Sequence, residues 1–246
     1  MTAASGSVLA LDPESAHSQV LRALGTVRDP ELDEPVTELG FVASCELSED
    51  GVAEVHLRLP TYFCAPNFAF LMVADAYDAV SAVAEVRKTV LVLDEHFASD
   101  AINEGVAARA GFAGTFGGEA VGELDTLRAN FIRKAVLAGT DRVCRPLLKS
   151  GTTYGELARM TLGEVPASPD LERLRARRRE VQLPDDDAAS LLIDVETGGA
   201  IDPDDSRLFL GRARLTRVNI EANGHVCRGM LAGRYGISGQ VQEEEA

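Results

Sequence analysis

The stretch Phe41–Leu59, FVASCELSEDGVAEVHLRL, constrains the fold more than any other part of the chain. Two alternating apolar–polar runs flank Glu49-Asp50-Gly51, and Asp-Gly is the dipeptide that tight hairpin turns favour. A lone hairpin is marginal in water, so its apolar face needs a cover. Pro66 opens one: proline suits the first turn of a helix, where its missing N–H would be unpaired anyway. The spacing predicts a helix from about Asn67 to Val83, and EVRKTVLVLDE then predicts a third strand. Ahead of the hairpin, Val20, Leu21, Leu24 and Val27 have helical spacing, and RDPELDEPVTELG is a proline-broken acidic loop. Helix, loop, hairpin, helix and strand make a small α+β domain ending near Phe97.

The remainder predicts a different architecture. Residues 99–122 are glycine-rich with little periodicity, which reads as a linker or a packed surface loop. ELDTLRANFIRKAVLAG predicts a helix ending at Gly139, and TDRVCRPLLKSG a short helix strained by Pro146. Thr153 and Glu156 form a capping-box pattern, and Ser168-Pro169 opens a charged helix. Its arginine run, ERLRARRRE, reads as a solvated face, with a docking surface as the minority alternative. LLIDV predicts a short strand, while Leu208, Leu215, Val218, Ala222 and Val226 fit a helical stripe. The expected fold class is α+β: a small helix–hairpin–helix–strand domain followed by a mostly helical C-terminal region. The expected divisions are a flexible tail over 1–13, the α+β domain over 14–98, a glycine-rich linker over 99–122, a helical domain over 123–236 and a disordered acidic tail over 237–246.

Charge sharpens the division. The chain carries −15 overall, but residues 1–123 hold 6 basic and 20 acidic side chains, whereas 124–246 hold 18 and 19. An acidic front half argues against nucleic-acid backbones and anionic membrane surfaces as partners. No apolar run is long enough to span a bilayer, and MTAASGSVLALDPE lacks the charged start of a signal peptide. A cytoplasmic location is therefore expected. In it Cys45, Cys64, Cys144 and Cys227 would be free thiols or metal ligands rather than disulfides.

Cys64 stands where strand passes into helix. A cysteine there faces unpaired N–H groups and the positive end of the helix dipole, both of which favour a thiolate. The acidic surroundings oppose that shift, and on position alone a small apolar residue packed at a tight turn is an equally good reading. His225 and Cys227 would share a face only in an extended segment; on a helix they lie about 200° apart and cannot share a metal. Cys144 has Arg142 and Arg145 beside it, which favours a thiolate, although core packing is the simpler role. Cys-x-x-Cys, Glu-x-x-His, His-Glu-x-x-His and phosphate-loop patterns are all absent.

Asp29-Pro30-Glu31, Gly40 within ELGFV, a hairpin, then Thr61…Cys64 and a helix occur in this order. Over about residues 14–97 the arrangement resembles the MIP18-like iron–sulfur cluster assembly domain, a family with SufT-type maturation factors and the PaaD-type protein of phenylacetate catabolism. The resemblance implies a non-enzymatic role in metal-centre assembly. Cys64 would be the functional thiol, holding iron or an iron–sulfur cluster transiently. Asp29 and Glu31 would lie beside it at the metal, and Thr61 and Pro66 would shape the turn. The implied partner is a client metalloprotein, an iron–sulfur or diiron enzyme; a homo-oligomer is compatible. The family pattern has Pro-Gly before the cysteine and Pro directly after it, whereas here Tyr62-Phe63 precede Cys64 and Ala65 separates it from Pro66. The bulky pair makes a client contact as much an expectation as a metal site. Long forms with such a C-terminal half also resemble accessory proteins of bacterial multicomponent diiron monooxygenases. Two other classes compete: a metal-independent assembly chaperone or complex subunit, and a cysteine-nucleophile enzyme with His56 or His96 as base.

Overall fold

The computed structural model describes residues 15–117 and 121–236. The calls on the tails, 1–13 and 237–246, lie outside the described residues. The fold class is the expected one, α+β: a three-stranded sheet with helices, then a mostly helical remainder. The chain groups into two compact units. Asp29–Glu34 belongs with the residues from Gly117 onward, and the rest of the chain up to Phe116 forms the first unit. No helix among the described residues is long and apolar enough to cross a membrane.

In the first unit, β1 (Val42–Leu47) and β2 (Val52–Leu57) form the hairpin, with Cys45 opposite Val55 and a register irregularity between Val42 and Ser44. Gly51 has φ of 77°, and a Cβ there would stand 2.8 Å from the Glu85 carbonyl oxygen. The turn therefore needs glycine for both its backbone and its space. β3 (Lys88–Leu93) pairs with β2 in parallel, so the chain crosses over through α2 (Pro66–Ser81). α1 (Ala16–Leu24) is capped by Ser15 and buries Val20 and Leu24. Ala53, Val55 and Leu57 of β2 are buried with Val73, Ala76 and Val80 of α2, while Glu54 and His56 lie on the alternate positions.

The stretch read as a linker holds two helices, α3 (Ser99–Ala107) and α4 (Gly111–Phe116). One of its glycines, Gly105, serves close packing. A Cβ on Gly105 would stand 1.9 Å from the Thr115 hydroxyl oxygen, so α4 approaches α3 over a missing side chain. Asn103 of α3 accepts the Leu93 N–H at 2.8 Å and donates to the Leu93 carbonyl at 3.3 Å, closing the end of β3.

The second unit is built on α5 (Val121–Lys149), α7 (Pro169–Glu180) and α8 (Ser206–Tyr235), with α6 (Tyr154–Arg159) against α8. α5 does not stop at Gly139. That glycine lies inside the helix, facing Leu174 of α7, from which a Cβ would stand at an ordinary contact distance of 3.4 Å. Pro146 falls in the last turns of α5 and is contained there. The Thr153–Glu156 capping box and the Ser168 cap with Pro169 behind it both form as read. LLIDV is not a strand: Leu191, Leu192 and Ile193 are buried in an irregular segment that makes isolated bridges, Thr161 with Ser190 and Ile193 with Ala200.

One further expectation is corrected, and a second is refined. The arginine run of α7 is not a solvated face, because Arg178 is 0% exposed and Arg173 and Arg177 grip buried Asp33. The Leu208–Val226 stripe is helical as read, on α8, and it lies on the side away from the core. Leu210, Ala213, Ile220 and Leu231 face the core, together with Arg217, which pairs with Asp141 of α5 at 2.6 Å. Cys144 packs in the core, where burial pushes its thiol up to about 12, so the flanking arginines do not prevail.

Candidate functional site

β2 ends at Leu57, and the chain turns through buried Leu59 and Pro60 before α2 begins. Ala65 occupies the N-cap and makes no side-chain cap; Pro66 is the first helical residue. Cys64 sits just before them, half-buried. Its Sγ lies 3.2 Å from Thr61 Oγ1, which in turn accepts the Phe63 N–H at 3.3 Å. The hydroxyl and the thiol are within hydrogen-bond reach, and either can donate. Among the site residues read from sequence, the structure thus brings Thr61, Cys64 and Pro66 together.

Backbone links from a distant loop hold this turn. His96, 2% exposed, donates from Nε2 to the Cys64 carbonyl at 2.7 Å, while Nδ1 accepts the Ala98 N–H at 3.2 Å. Both ring nitrogens are therefore committed, in the neutral tautomer, and His96 is a positioning residue rather than a base for Cys64. The Phe97 N–H donates to the Tyr62 carbonyl at 3.2 Å. His56 is engaged elsewhere, by Asp94 at 3.0 Å and Glu54 at 3.3 Å; the Asp94 hydrogen bond raises its pKa. Sequence reasoning weighed His96 only as a base, because nothing local marks a histidine that anchors a carbonyl 32 residues away.

The rim of the turn is aromatic and open to solvent. Tyr62, Phe63 and Phe97 are 46%, 77% and 49% exposed. Their rings touch, with centroids 5.0 Å apart for Tyr62–Phe63 and 6.2 Å for each of the other pairs. Contiguous exposed apolar surface of this kind marks contact sites on proteins. Phe97 was missed from sequence because it lies outside the cysteine stretch.

Asp29 and Glu31 fall in the second unit, whereas Cys64 belongs to the first. Asp29 Oδ1 accepts the N–H groups of Glu31 and Leu32 at 2.8 Å each, an Asx-type closure of the loop. Burial raises its carboxyl to about 6, against the opposing effect of those two hydrogen bonds. Glu31 is exposed and accepts the Asn223 side-chain amide at 3.2 Å. Among the described residues, no three His, Cys, Asp or Glu side chains are grouped to hold a metal ion.

A pH dependence follows for Asp29. Its folded pKa stands above the ordinary 3.8, so the buried charge costs stability above about pH 6 and the cost is relieved as pH falls toward 3.8. The shift corresponds to an upper bound on the order of 3 kcal/mol. Asp29→Asn keeps the accepting oxygen without the charge. It is expected to be more stable than wild type near pH 7.5 by about 1–2 kcal/mol, with the difference closing near pH 4. Urea unfolding followed by circular dichroism at the two pH values checks this; parallel pH profiles would refute it.

The cysteine turn thus lies within the small α+β domain of the first unit. Residues 17–92 match the family model described as "Iron-sulfur cluster assembly protein". Among solved structures, a domain of unknown function, DUF59, from Bacillus anthracis is similar at 20% identity, covering 40% of this chain and 94% of that chain with a TM-score of 0.31. No curated protein matches.

Proposed function

We propose that the chain is a maturation factor that handles iron or an iron–sulfur cluster as cargo through Cys64 and meets its client protein at the aromatic rim. One observation carries the reading: a half-buried thiol beside a hydroxyl is presented within an exposed rim of Tyr62, Phe63 and Phe97. The match of residues 17–92 to iron–sulfur assembly proteins supports the cargo. A single thiolate suits cargo that is passed on, because iron prefers several ligands and takes the others from its carrier or client. Thr61 and Pro66 shape the turn. Asp29 and Glu31 act in this reading as the acids of the motif loop, Asp29 with its carboxyl spent on its own backbone. The client is an iron–sulfur or diiron enzyme in the cytoplasm, with a multicomponent diiron monooxygenase as the particular choice.

Anaerobic titration with ferrous iron tests the thiol. Wild type is expected to develop thiolate-to-iron absorption that Cys64→Ser loses, with client maturation falling about tenfold or more. Phe63→Ser is expected to keep the absorption and still lower maturation. Identical iron binding and normal maturation by Cys64→Ser would overturn the thiol's role and leave a metal-independent complex subunit as the better reading.

A further inference from the structure

The long helix α8 has two apolar faces. One is buried in the second unit. On the opposite side, by the 3.6-residue period, Leu208, Leu215, Val218 and Val226 are 61%, 62%, 44% and 58% exposed, and Met230 is 49% exposed. Gly211, Ala222 and Gly229 fall on the same stripe, and among the described residues nothing lies within 4 Å of a Cβ built at Gly211 or Gly229. The spacing 208, 211, 215, 218, 222 alternates steps of three and four, the pattern by which one helix seats against another. Single exposed apolar residues need no explanation, whereas a continuous line of them does.

The charges beside the stripe select what covers it. α8 contains six arginines and one glutamate, Glu221. Arg217 pairs with Asp141 and Arg228 with Glu34. Among the described residues, the side chains of Arg207, Arg212 and Arg214 make neither an ion pair nor a hydrogen bond, and the same holds for Arg145 and Lys149 near the end of α5. Arg145, Lys149, Arg207 and Arg214 line one cavity of about 420 Å³, which opens beside Gly211 of the stripe. Unpaired cations grouped in this way are unexpected in a chain of net charge −15, where acids are in excess. On α7, by contrast, Arg173, Arg175, Arg177 and Arg179 each have a carboxylate partner. A second copy of α8 would set arginine against arginine, which opposes self-pairing.

We propose that this face of α8 docks an acidic amphipathic helix of a partner protein, with apolar side chains on the Leu208–Val226 stripe and carboxylates in the basic cavity. The docking is independent of whether Cys64 handles iron. A fluorescent synthetic helix of three heptads, with leucine at a and d and glutamate at e and g, serves as probe; its lysine-substituted twin is the control. The full chain is expected to bind the glutamate probe at least about tenfold more tightly than the twin, with affinity falling as salt rises. Leu215→Glu, at an exposed position, should weaken binding about tenfold while circular dichroism stays unchanged. The double variant Arg207→Glu/Arg214→Glu should reverse the preference between the probes, which loss of structure alone would not do. Equal binding of both probes, full binding by Leu215→Glu, or sedimentation showing a dimer that Leu215→Glu dissolves would each overturn the proposal.

Discussion

Arg178→Ala is expected to destabilise the second unit by about 3–5 kcal/mol, enough to unfold a marginal domain. The guanidinium is buried, and among the described residues it has no carboxylate partner. Nη1 donates to the Ser190 carbonyl at 2.9 Å and the Pro184 carbonyl at 3.3 Å, and Nη2 donates to the Leu191 carbonyl at 2.6 Å. Desolvation lowers its pKa to about 10, so the charge is retained at neutral pH. Alanine would leave three carbonyls without this donor and open a void where the fully buried side chain stood. Arg178→Met separates the two effects, since it refills the volume but not the hydrogen bonds; about half of the loss should return. Arg179→Ala is the control, for Arg179 is 69% exposed in its ion pair with Asp185 and should cost under about 1 kcal/mol. Thermal and urea unfolding compare the three; equal melts for Arg178→Ala and Arg179→Ala would remove Arg178 from the core's account.

Asp33→Ala is expected to cost a comparable amount, about 3–5 kcal/mol, through loss of charge balance. Arg173 donates from Nε and Nη2 to Asp33 Oδ2 at 3.0 and 2.8 Å, and Arg177 donates from Nε to Oδ1 at 2.6 Å. Arg173 Nη2 also donates to the Asp33 carbonyl. The Asp33 side chain is 7% exposed, and those of Arg177 and Arg173 are 12% and 27% exposed. Without Asp33, Arg173 and Arg177 would lose their shared carboxylate while Arg142 still feels the charge of Arg173. Asp33 has φ of 52°, a conformation that asparagine tolerates better than most residues. Asp33→Asn therefore keeps the backbone and removes the charge, and it should retain most of the destabilisation, about 2–3 kcal/mol. A double-mutant cycle with Arg177→Ala measures the coupling. Wild-type stability in Asp33→Asn would show that the charge is not what holds this loop.

What the chain reveals on inspection depends on how local the cause is. The Asp50-Gly51 turn, the Thr153–Glu156 box and the Ser168-Pro169 start are set by neighbours within a few residues, and all three form. The Thr61–Cys64 turn was legible for the same reason. Arg178 was not, since arginine defaults to solvent and its acceptors lie 6, 12 and 13 residues on, in a segment with no regular structure. α8 defeats pattern reading differently. It is apolar on opposite sides, and the cleaner stripe is the exposed one, while the buried face includes Arg217. Gly105 and Gly139 look like breaks because their contacts, with Thr115 and Leu174, come from other elements.

The partners of Asp33 lie 140 and 144 positions further along the chain. Closing so wide a loop is slow, because its entropy is spent before the ion pairs form. During synthesis Asp33 leaves the ribosome long before either arginine exists. The acidic loop must therefore wait, and a fragment beginning after residue 117 would lack the carboxylate that its own helix α7 was shaped to receive.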